Sequence, residues 1–544
     1  MVEERLRNPE DVRSTAVLDS AHVGDIRGAF GTIREQEHAT HRTWRRRLLA
    51  LAVIMGPGLI VMVGDNDAGG VATYAQAGQN YGTSLLWVLV LLIPVLIVNQ
   101  EMVVRLGAVT GVGHGRLIFE RFGKFWGWFS VGDLFLLNFL TIATEFIGIG
   151  LSASYFGVSP YIAVPIGALL LISITVTGKF STWERMMFVF LAGNALVIPL
   201  VVLAHPSAGP VLQGFFVPGI QNGLTSNGAL LIVAIVGTTV APWQLFFQQS
   251  NVVDKRITPR WIAYERTDTI VGAFVVVIGA AAIMITAATA FHGTPQVGHF
   301  HDALSVARGL SLHLGATVGA IFAVVLLDAS IIGASAVTLA TSYAFGDVFG
   351  IRHSLHRSWR DARLFYAIFS GVVVVAAGIV LIPSAPLGLI TTAVQALAGT
   401  LLPEASLFLL LLCNDRAVLG PWVNRAWLNV LATVILATLV MLSLILVVST
   451  IFPDINITVL LIACGGVLVV GLAVIGLLTR AGEAPGLTEP QREDRSTWRM
   501  PPIALLTRPL PSRARTIGMS AMAGYLVVAM LMLLVKAIEL GVSH

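Results

Sequence analysis

The sequence predicts an all-α polytopic membrane protein with two inverted repeats of five helices, of which the first and sixth helices are discontinuous. Three observations predict this fold: the composition, a series of long apolar segments, and two breaks at corresponding positions. Of the 544 residues, 56% are hydrophobic and 12% are charged, whereas a soluble domain carries about 25% charged residues. The mean hydropathy is +0.82. This composition excludes a soluble globular protein.

The apolar segments are the second observation. A membrane-spanning helix needs about 20 mostly apolar residues, and an open sheet cannot satisfy its backbone hydrogen bonds in lipid. We therefore expect helices at 48–82, 84–104, 126–151, 159–178, 186–204, 226–250, 269–291, 315–345, 364–382, 385–412, 427–451, 456–479 and 516–535.

The basic residues predict the orientation of these spans. Of the 34 lysines and arginines, 32 lie in the tail before Leu48, in alternate loops and in 480–515, all on one side of the predicted membrane. By the positive-inside rule this side, with the N-terminus, is cytoplasmic. The charge is therefore an orientation signal and gives no reason to expect nucleic-acid binding. Arginines outnumber lysines 30 to 4, which indicates a GC-rich bacterial genome and hence the inner (plasma) membrane.

The chain divides into five regions by composition. We predict a disordered cytoplasmic tail at 1–47, a ten-span core at 48–420, accessory spans at 421–479, a cytoplasmic linker at 480–515, and a C-terminal span and tail at 516–544. No signal peptide is expected, because the first 40 residues are polar and charged. Cys413 and Cys464 lie in apolar runs, so neither a disulfide framework nor a zinc finger is predicted.

The third observation is a pair of interruptions within spans. Residues 64–70 place two carboxylates and three glycines inside the first span, and residues 237–243 place Pro242 inside the sixth. Simpler alternatives are an outer loop after residue 63 and a kink at Pro242. Interrupted helices in corresponding positions of two halves, however, indicate inverted repeats with a binding site at mid-membrane. Free carbonyls together with Asp67 favour a cation there.

Several motifs then resemble a known family. The runs 56–58 (GPG), 67–70 (DAGG), 72–78 (ATYAQAG), 84–87, 105–107, 143–145 and 414–420 are similar to those of the NRAMP divalent-metal transporters, whose first helix reads GPG, DPGN and ATxxQAG. The resemblance covers about residues 50–420. It implies the LeuT-type fold with two or three extra C-terminal helices, and it assigns Asp67 as a metal ligand.

Departures from the family pattern make the resemblance more specific. Where the family has asparagine, alanine, methionine and two histidines, this chain has Gly70, Thr238, Ala241, Trp243 and Gln248. On the third helix the family has a pair of carboxylates, of which this chain keeps Glu145 and has Ile142 in place of the aspartate. On the tenth helix Gln395 matches a family glutamine, whereas Leu401 replaces a second glutamine. Asp65 is an additional carboxylate. This pattern is similar to the NRAMP-related magnesium transporters, which lack the methionine.

The donor chemistry favours the same assignment. Sulfur ligands select softer transition metals, whereas carboxylate, carbonyl and water suit Mg²⁺, Ca²⁺ and Mn²⁺. We expect a metal site formed by Asp65, Asp67, Gly70, Thr238 and Ala241, wide enough for a partly hydrated ion. The predicted function is transport of Mg²⁺, with Mn²⁺ tolerated and without proton coupling. The metal is then a substrate, and no cofactor is expected.

Three other functions remain as alternatives. The nearest is a proton-coupled Mn²⁺/Fe²⁺ symporter of the ordinary NRAMP type. The others are an amino-acid permease on the same fold and a metal-sensing receptor. No phosphate-binding loop sequence occurs, so the chain is not expected to be an ATP-hydrolysing enzyme.

A few polar and aromatic residues have a less specific pattern. The outer-loop residues His292, His299, His301, His313 and Asp302 either capture metal or are ordinary solvated side chains, and the second interpretation is favoured. Asp328 and Glu404 either line an aqueous path or serve structural roles. Trp126 and Trp128 are expected at the membrane interface.

Overall fold

The computed structural model describes residues 20–35, 37, 43–221, 223–382, 387–452, 455–481, 495 and 498–506, and parts of 519–531. Two short strands come first, β1 (Ile26–Gly28) and β2 (Gly31–Ile33). Twenty α-helices follow: α1 Trp44–Ile54, α2 Pro57–Gly64, α3 Ala68–Tyr81, α4 Leu86–Thr110, α5 His114–Phe122, α6 Lys124–Tyr155, α7 Pro160–Thr175, α8 Phe180–Asn194, α9 Val197–Leu203, α10 Ala208–Phe216, α11 Ser226–Thr239, α12 Pro242–Asp254, α13 Ile262–Phe291, α14 Ala303–Leu314, α15 Ala316–Phe349, α16 Arg363–Val380, α17 Leu387–Cys413, α18 Arg416–Leu419, α19 Ala426–Ile451 and α20 Ile457–Ala481.

The fold confirms the predicted all-α membrane architecture. Within the described residues, nine helical segments are long and apolar enough to cross a membrane, and the bent pair α1 and α2 adds a tenth. The long helices α13 and α15 pack against the interrupted first helix, and α15 also packs along α6. These contacts surround the breaks with rigid helices.

The first predicted span is interrupted twice. The expected break separates α2 from α3 at residues 65–67. A second bend of 49° separates α1 from α2, where Gly56 has φ +149° and Pro57 begins α2. A positive φ at this value favours glycine, and proline is favoured at the first helical position. The GPG motif therefore forms a hinge that the span prediction did not include.

The sixth span is interrupted where Pro242 predicted it. Helix α11 ends at Thr239, Val240 and Ala241 are not helical, and Pro242 begins α12. In a continuous helix the Thr238 carbonyl would accept a hydrogen bond from residue 242, but proline has no N–H group. The break therefore leaves this carbonyl available at the centre of the fold.

The N-terminal region differs from the predicted disordered tail at residues 20–35. Strands β1 and β2 pair antiparallel with Ile26 opposite Ile33, and both side chains are buried against α1 and α8. Arg256 at the end of α12 donates to the carbonyl oxygens of Ala21 and Asp25. Strands of three residues are too short for a periodicity that a sequence can reveal, which explains the difference.

The C-terminal region is described only in part. Residues 498–506 lie against the end of α4, where the Met500 N–H donates to the Val109 carbonyl. Most of the predicted linker 480–515 and half of the predicted span 516–535 lie outside the described residues.

Candidate functional site

The site begins with the side chain of Asp67, which caps helix α3. One carboxylate oxygen accepts a hydrogen bond from the backbone N–H of Gly70 at 2.6 Å. The neighbouring Ala68 N–H donates to Glu145 on α6 at 3.0 Å. Two carboxylates thus satisfy the free N–H groups at the start of α3, as caps do, and the break is held in one conformation.

The two interrupted helices meet beside this cap. The hydroxyl groups of Tyr74 on α3 and Thr239 on α11 are hydrogen-bonded at 2.8 Å. A Cβ atom added to Gly70 would lie 3.0 Å from the Thr238 hydroxyl oxygen, so Thr238 is adjacent to the first turn of α3. The structure therefore brings Asp67, Gly70 and Thr238 close together.

Asp65 adds a second buried carboxylate to the break. It is fully buried, and neither of its carboxylate oxygens has a hydrogen-bond partner within the described part of the chain. Nor does any described lysine, arginine or histidine form an ion pair with Asp65, Asp67 or Glu145. A buried carboxylate without a partner is costly. The arrangement suits a bound cation, which would supply the missing charge.

The space beside Gly70 is smaller than the sequence suggested. A Cβ atom at this position would lie 2.6 Å from the Asp65 carbonyl oxygen, closer than non-bonded atoms normally approach. Gln395 on α17 packs directly against the backbone of Gly69. Glycine at this position allows the neighbouring backbone to approach and does not create a wider cavity.

Ala241 and the two replaced histidine positions lie on the other half of the sixth helix. Ala241 is buried and supplies the N-cap residue of α12. Trp243 is buried and packs beneath Gly64 at the end of α2. Gln248 donates to the Thr269 hydroxyl at 3.1 Å. The start of α12 is therefore buried among apolar and neutral polar groups, and these three positions carry no titratable side chain.

A buried ion network that the sequence analysis did not identify supports the hinge between α1 and α2. The Lys255 ammonium donates to the carbonyl oxygens of Ile54 and Met55 and pairs with Glu184 at 2.5 Å. Asp268 on α13 accepts from the N–H groups of Gly56 and Gly58. The GPG motif could have indicated the bend, but its charged partners come from distant helices.

The outer-loop histidines do not converge. Within the described residues, no three His, Cys, Asp or Glu side chains are placed to hold a metal ion. Asp302 instead forms the capping box of α14 with Ser305, His301 is exposed, and His313 contacts Gln296 at 3.2 Å. This arrangement agrees with ordinary solvated side chains. Asp328 lies against Gly193, and Trp128 is half-exposed, whereas Trp126 packs on Phe408.

Comparison with known proteins identifies the family. The family model described as natural resistance-associated macrophage protein-like, or Nramp, matches residues 58–449. The chain belongs to the Nramp family. Nramp proteins are transporters, so the expectation that this chain is not an enzyme is confirmed, as is the resemblance seen in the motifs.

Curated Nramp relatives are bacterial. The chain is 28% identical over 414 residues to divalent metal cation transporter MntH 1 of Pseudomonas aeruginosa, covering 71% of this chain and 89% of the relative. It is 30% identical to MntH of Ralstonia nicotianae, covering 70% and 86%, and 26% identical to MntH of Bacillus subtilis, covering 74% and 94%.

Solved structures support the fold. A crystal structure of the Eremococcus coleocola manganese transporter, bound to an aromatic bis-isothiourea compound, has a TM-score of 0.60 at 19% identity, covering 82% of this chain and 98% of that one. MhsT in complex with L-phenylalanine has a TM-score of 0.50 at 16% identity, covering 72% and 98%. These similarities confirm the LeuT-type architecture for this Nramp chain.

Proposed function

We propose that this Nramp protein transports divalent metal ions across a bacterial plasma membrane through the site between its two interrupted helices. The observation that carries the proposal is the position of Asp67. Its carboxylate lies at the break of the first helix, beside Thr238 at the break of the sixth. A charge at this depth is functional by default in a membrane protein.

The site offers oxygen donors only. Asp65 and Asp67 supply carboxylates, and the Thr238 carbonyl lacks its helical partner because residue 242 is proline. Ala241 places a methyl group where the family has a methionine sulfur. Oxygen ligands suit Mg²⁺ and Mn²⁺, so a preference for a soft ion such as Cd²⁺ is not expected.

Mn²⁺ is the better supported substrate. The relatives are named divalent metal cation transporters, and the similar solved structure is a manganese transporter. The Mg²⁺ preference expected from the sequence rests on Ala241 and on a wide pocket, and the close packing at Gly70 weakens the second argument. Mg²⁺ remains the second candidate, because the absence of sulfur removes the family's advantage for softer ions.

Uptake into proteoliposomes tests both candidates. Purified protein is reconstituted with a dye that reports Mn²⁺ or Mg²⁺, and Asp67→Asn serves as the matched variant without the central charge. Uptake of either ion by the wild type, but not by Asp67→Asn, supports the proposed transport. Equal signals from both proteins would contradict it. The ratio of Mn²⁺ to Mg²⁺ uptake then decides between the two substrates.

The orientation and the coupling complete the proposal. We propose a cytoplasmic N-terminus, because 32 of the 34 lysines and arginines lie on its side of the predicted membrane. Trp243, Gln248 and Ile142 replace three titratable positions of the family, which favours transport without a proton at those positions. Proton coupling of the ordinary family type would then require other acidic groups.

A further inference from the structure

A carboxyl pair between α6, α12 and α17 lies outside the metal site. Asp133 on α6 and Glu404 on α17 both line a cavity of about 10 Å³, together with Pro242 and Phe246 of α12. A cavity of this size holds about one water molecule. Neither residue is within two positions of a proposed metal ligand.

The pair has to carry a proton in this conformation. Both carboxyl groups line one water-sized cavity, and two carboxylates that share a site repel each other when both are ionised, so one of them binds a proton. Asp133 accepts the Leu134 N–H at 2.6 Å. Glu404 is 3% exposed, and its Oε1 atom has no hydrogen-bond partner within the described part of the chain. Glu404 lines the cavity, so its carboxyl group can exchange a proton with a water molecule there.

No basic group compensates the pair. Within the described residues, no Lys, Arg or His forms an ion pair with Asp133 or Glu404. On the packed elements, His114 of α5 is hydrogen-bonded to Gln249 of α12, and Arg121 of α5 pairs with Asp415. Glu145 lies three helical turns further along α6, about 18 Å away at 1.5 Å per residue. A proton is therefore the positive charge that we expect this pair of carboxyl groups to bind.

We infer that Asp133 and Glu404 form a proton-binding site that is separate from the metal site and is linked to it through α12. Helix α12 begins next to Ala241, and its first turn forms one wall of the cavity. Movement of this half-helix changes access to the pair. When the cavity opens to water, the shared proton leaves the carboxyl group for a water molecule, and both carboxylates become charged. This inference rests on the proposed transport function.

The first experiment measures metal uptake against pH in proteoliposomes. Glu404→Gln and Asp133→Asn keep the size and a hydrogen-bonding group at each position but remove the exchangeable proton. Glu120→Gln, at a partly exposed carboxylate of α5, is the control. If proton release accompanies transport, the apparent KM of the wild type changes about tenfold per pH unit below the titration of the pair. We expect Glu404→Gln and Asp133→Asn to transport metal with an apparent KM that depends less on pH. We expect Glu120→Gln to keep the pH dependence of the wild type. A wild-type slope in Glu404→Gln and Asp133→Asn would overturn the inference.

A second experiment does not depend on transport. Infrared difference spectra of the purified full-length protein, recorded in a pH titration without metal, report protonated carboxyl groups directly. We expect one titrating carboxyl band that both Glu404→Gln and Asp133→Asn lose and that Glu120→Gln keeps. A band that persists in both variants, or one that does not titrate, would overturn the inference. If the wild type transports no metal but this band behaves as expected, only the proposed function fails.

Discussion

Asp67 accepts the backbone N–H of Gly70 at 2.6 Å, so the proposed metal ligand is also the N-cap of α3. The same carboxylate fixes the break in the first helix and carries charge at the centre of the membrane. Because one oxygen is used in the cap, we expect the second oxygen to be the one that binds a metal ion. Structure and function at this position can be separated by the choice of substitution.

Asp67→Asn should abolish uptake with little loss of stability, because asparagine caps helices about as well as aspartate. Asp67→Ala should abolish uptake and also cost about 1 kcal/mol of unfolding free energy, since it removes the cap. Asp65→Asn should reduce uptake less than either. Metal uptake and thermal unfolding of the purified variants check this, and normal uptake by Asp67→Asn would place the site elsewhere.

The buried pair of Lys255 and Glu184 predicts a stability effect at the hinge. Glu184→Gln leaves the fully buried ammonium without its carboxylate, and breaking a buried pair in this way costs about 3–5 kcal/mol. The partly exposed pair of Arg116 and Glu120 is the control, because Glu120→Gln should cost about 0–1 kcal/mol. Unfolding in detergent measures both. Equal losses would show that the hinge does not depend on this pair.

His353, in the loop after α15, predicts a pH-dependent contribution to stability. Burial lowers the pKa of His353, but the hydrogen bond and the charge of Asp347 outweigh it and hold the pKa above its usual range. Protonated His353 therefore stabilises the folded protein fully at pH values below the histidine pKa of the unfolded chain. This stabilisation is lost as the pH rises through the higher pKa that His353 has in the folded protein. We expect the unfolding temperature of the wild type, relative to His353→Gln, to fall between pH 6 and pH 9. A constant difference would contradict this.

Orientation can be tested by labelling single cysteines from outside intact cells. His301 is 84% exposed beside the start of α14, whereas Arg260 follows α12 on the predicted cytoplasmic side. In a protein without Cys413 and Cys464, a membrane-impermeant maleimide should label His301→Cys but not Arg260→Cys. The reverse result would invert the predicted topology.

The sequence predicted the features that local chemistry determines. The glycines and carboxylates of 64–70 and the missing N–H of Pro242 were sufficient to locate both breaks, and the apolar segments were sufficient for the membrane fold. The hinge at Gly56 was not predicted, because a two-residue bend does not interrupt the hydrophobic pattern.

Features that depend on contacts between distant segments could not be predicted in this way. The sequence analysis singled out Glu404 but not Asp133, and only the packing of α6 against α17 makes the two residues a pair. The same holds for Gly70, whose role is set by the approach of the Asp65 backbone and of Thr238. Residues 20–35 form strands only because α1 and α8 bury Ile26 and Ile33.

The absence of sulfur at position 241 is the central claim about selectivity. Ala241→Met restores a soft ligand, and Ala241→Leu adds a similar volume without sulfur. Gly70 is left unchanged, because a side chain there would press on the Asp65 carbonyl. Soft ligands favour Cd²⁺ over Mg²⁺ and, less strongly, over Mn²⁺.

The most direct test is competition of Cd²⁺ and Mg²⁺ against Mn²⁺ uptake in proteoliposomes that contain wild type, Ala241→Met or Ala241→Leu. An oxygen-only site predicts weak inhibition by Cd²⁺ in the wild type and in Ala241→Leu, and inhibition at least tenfold stronger in Ala241→Met. If Cd²⁺ inhibits the wild type as strongly as it inhibits Ala241→Met, the residue at position 241 does not set the selectivity and the oxygen-only site is contradicted.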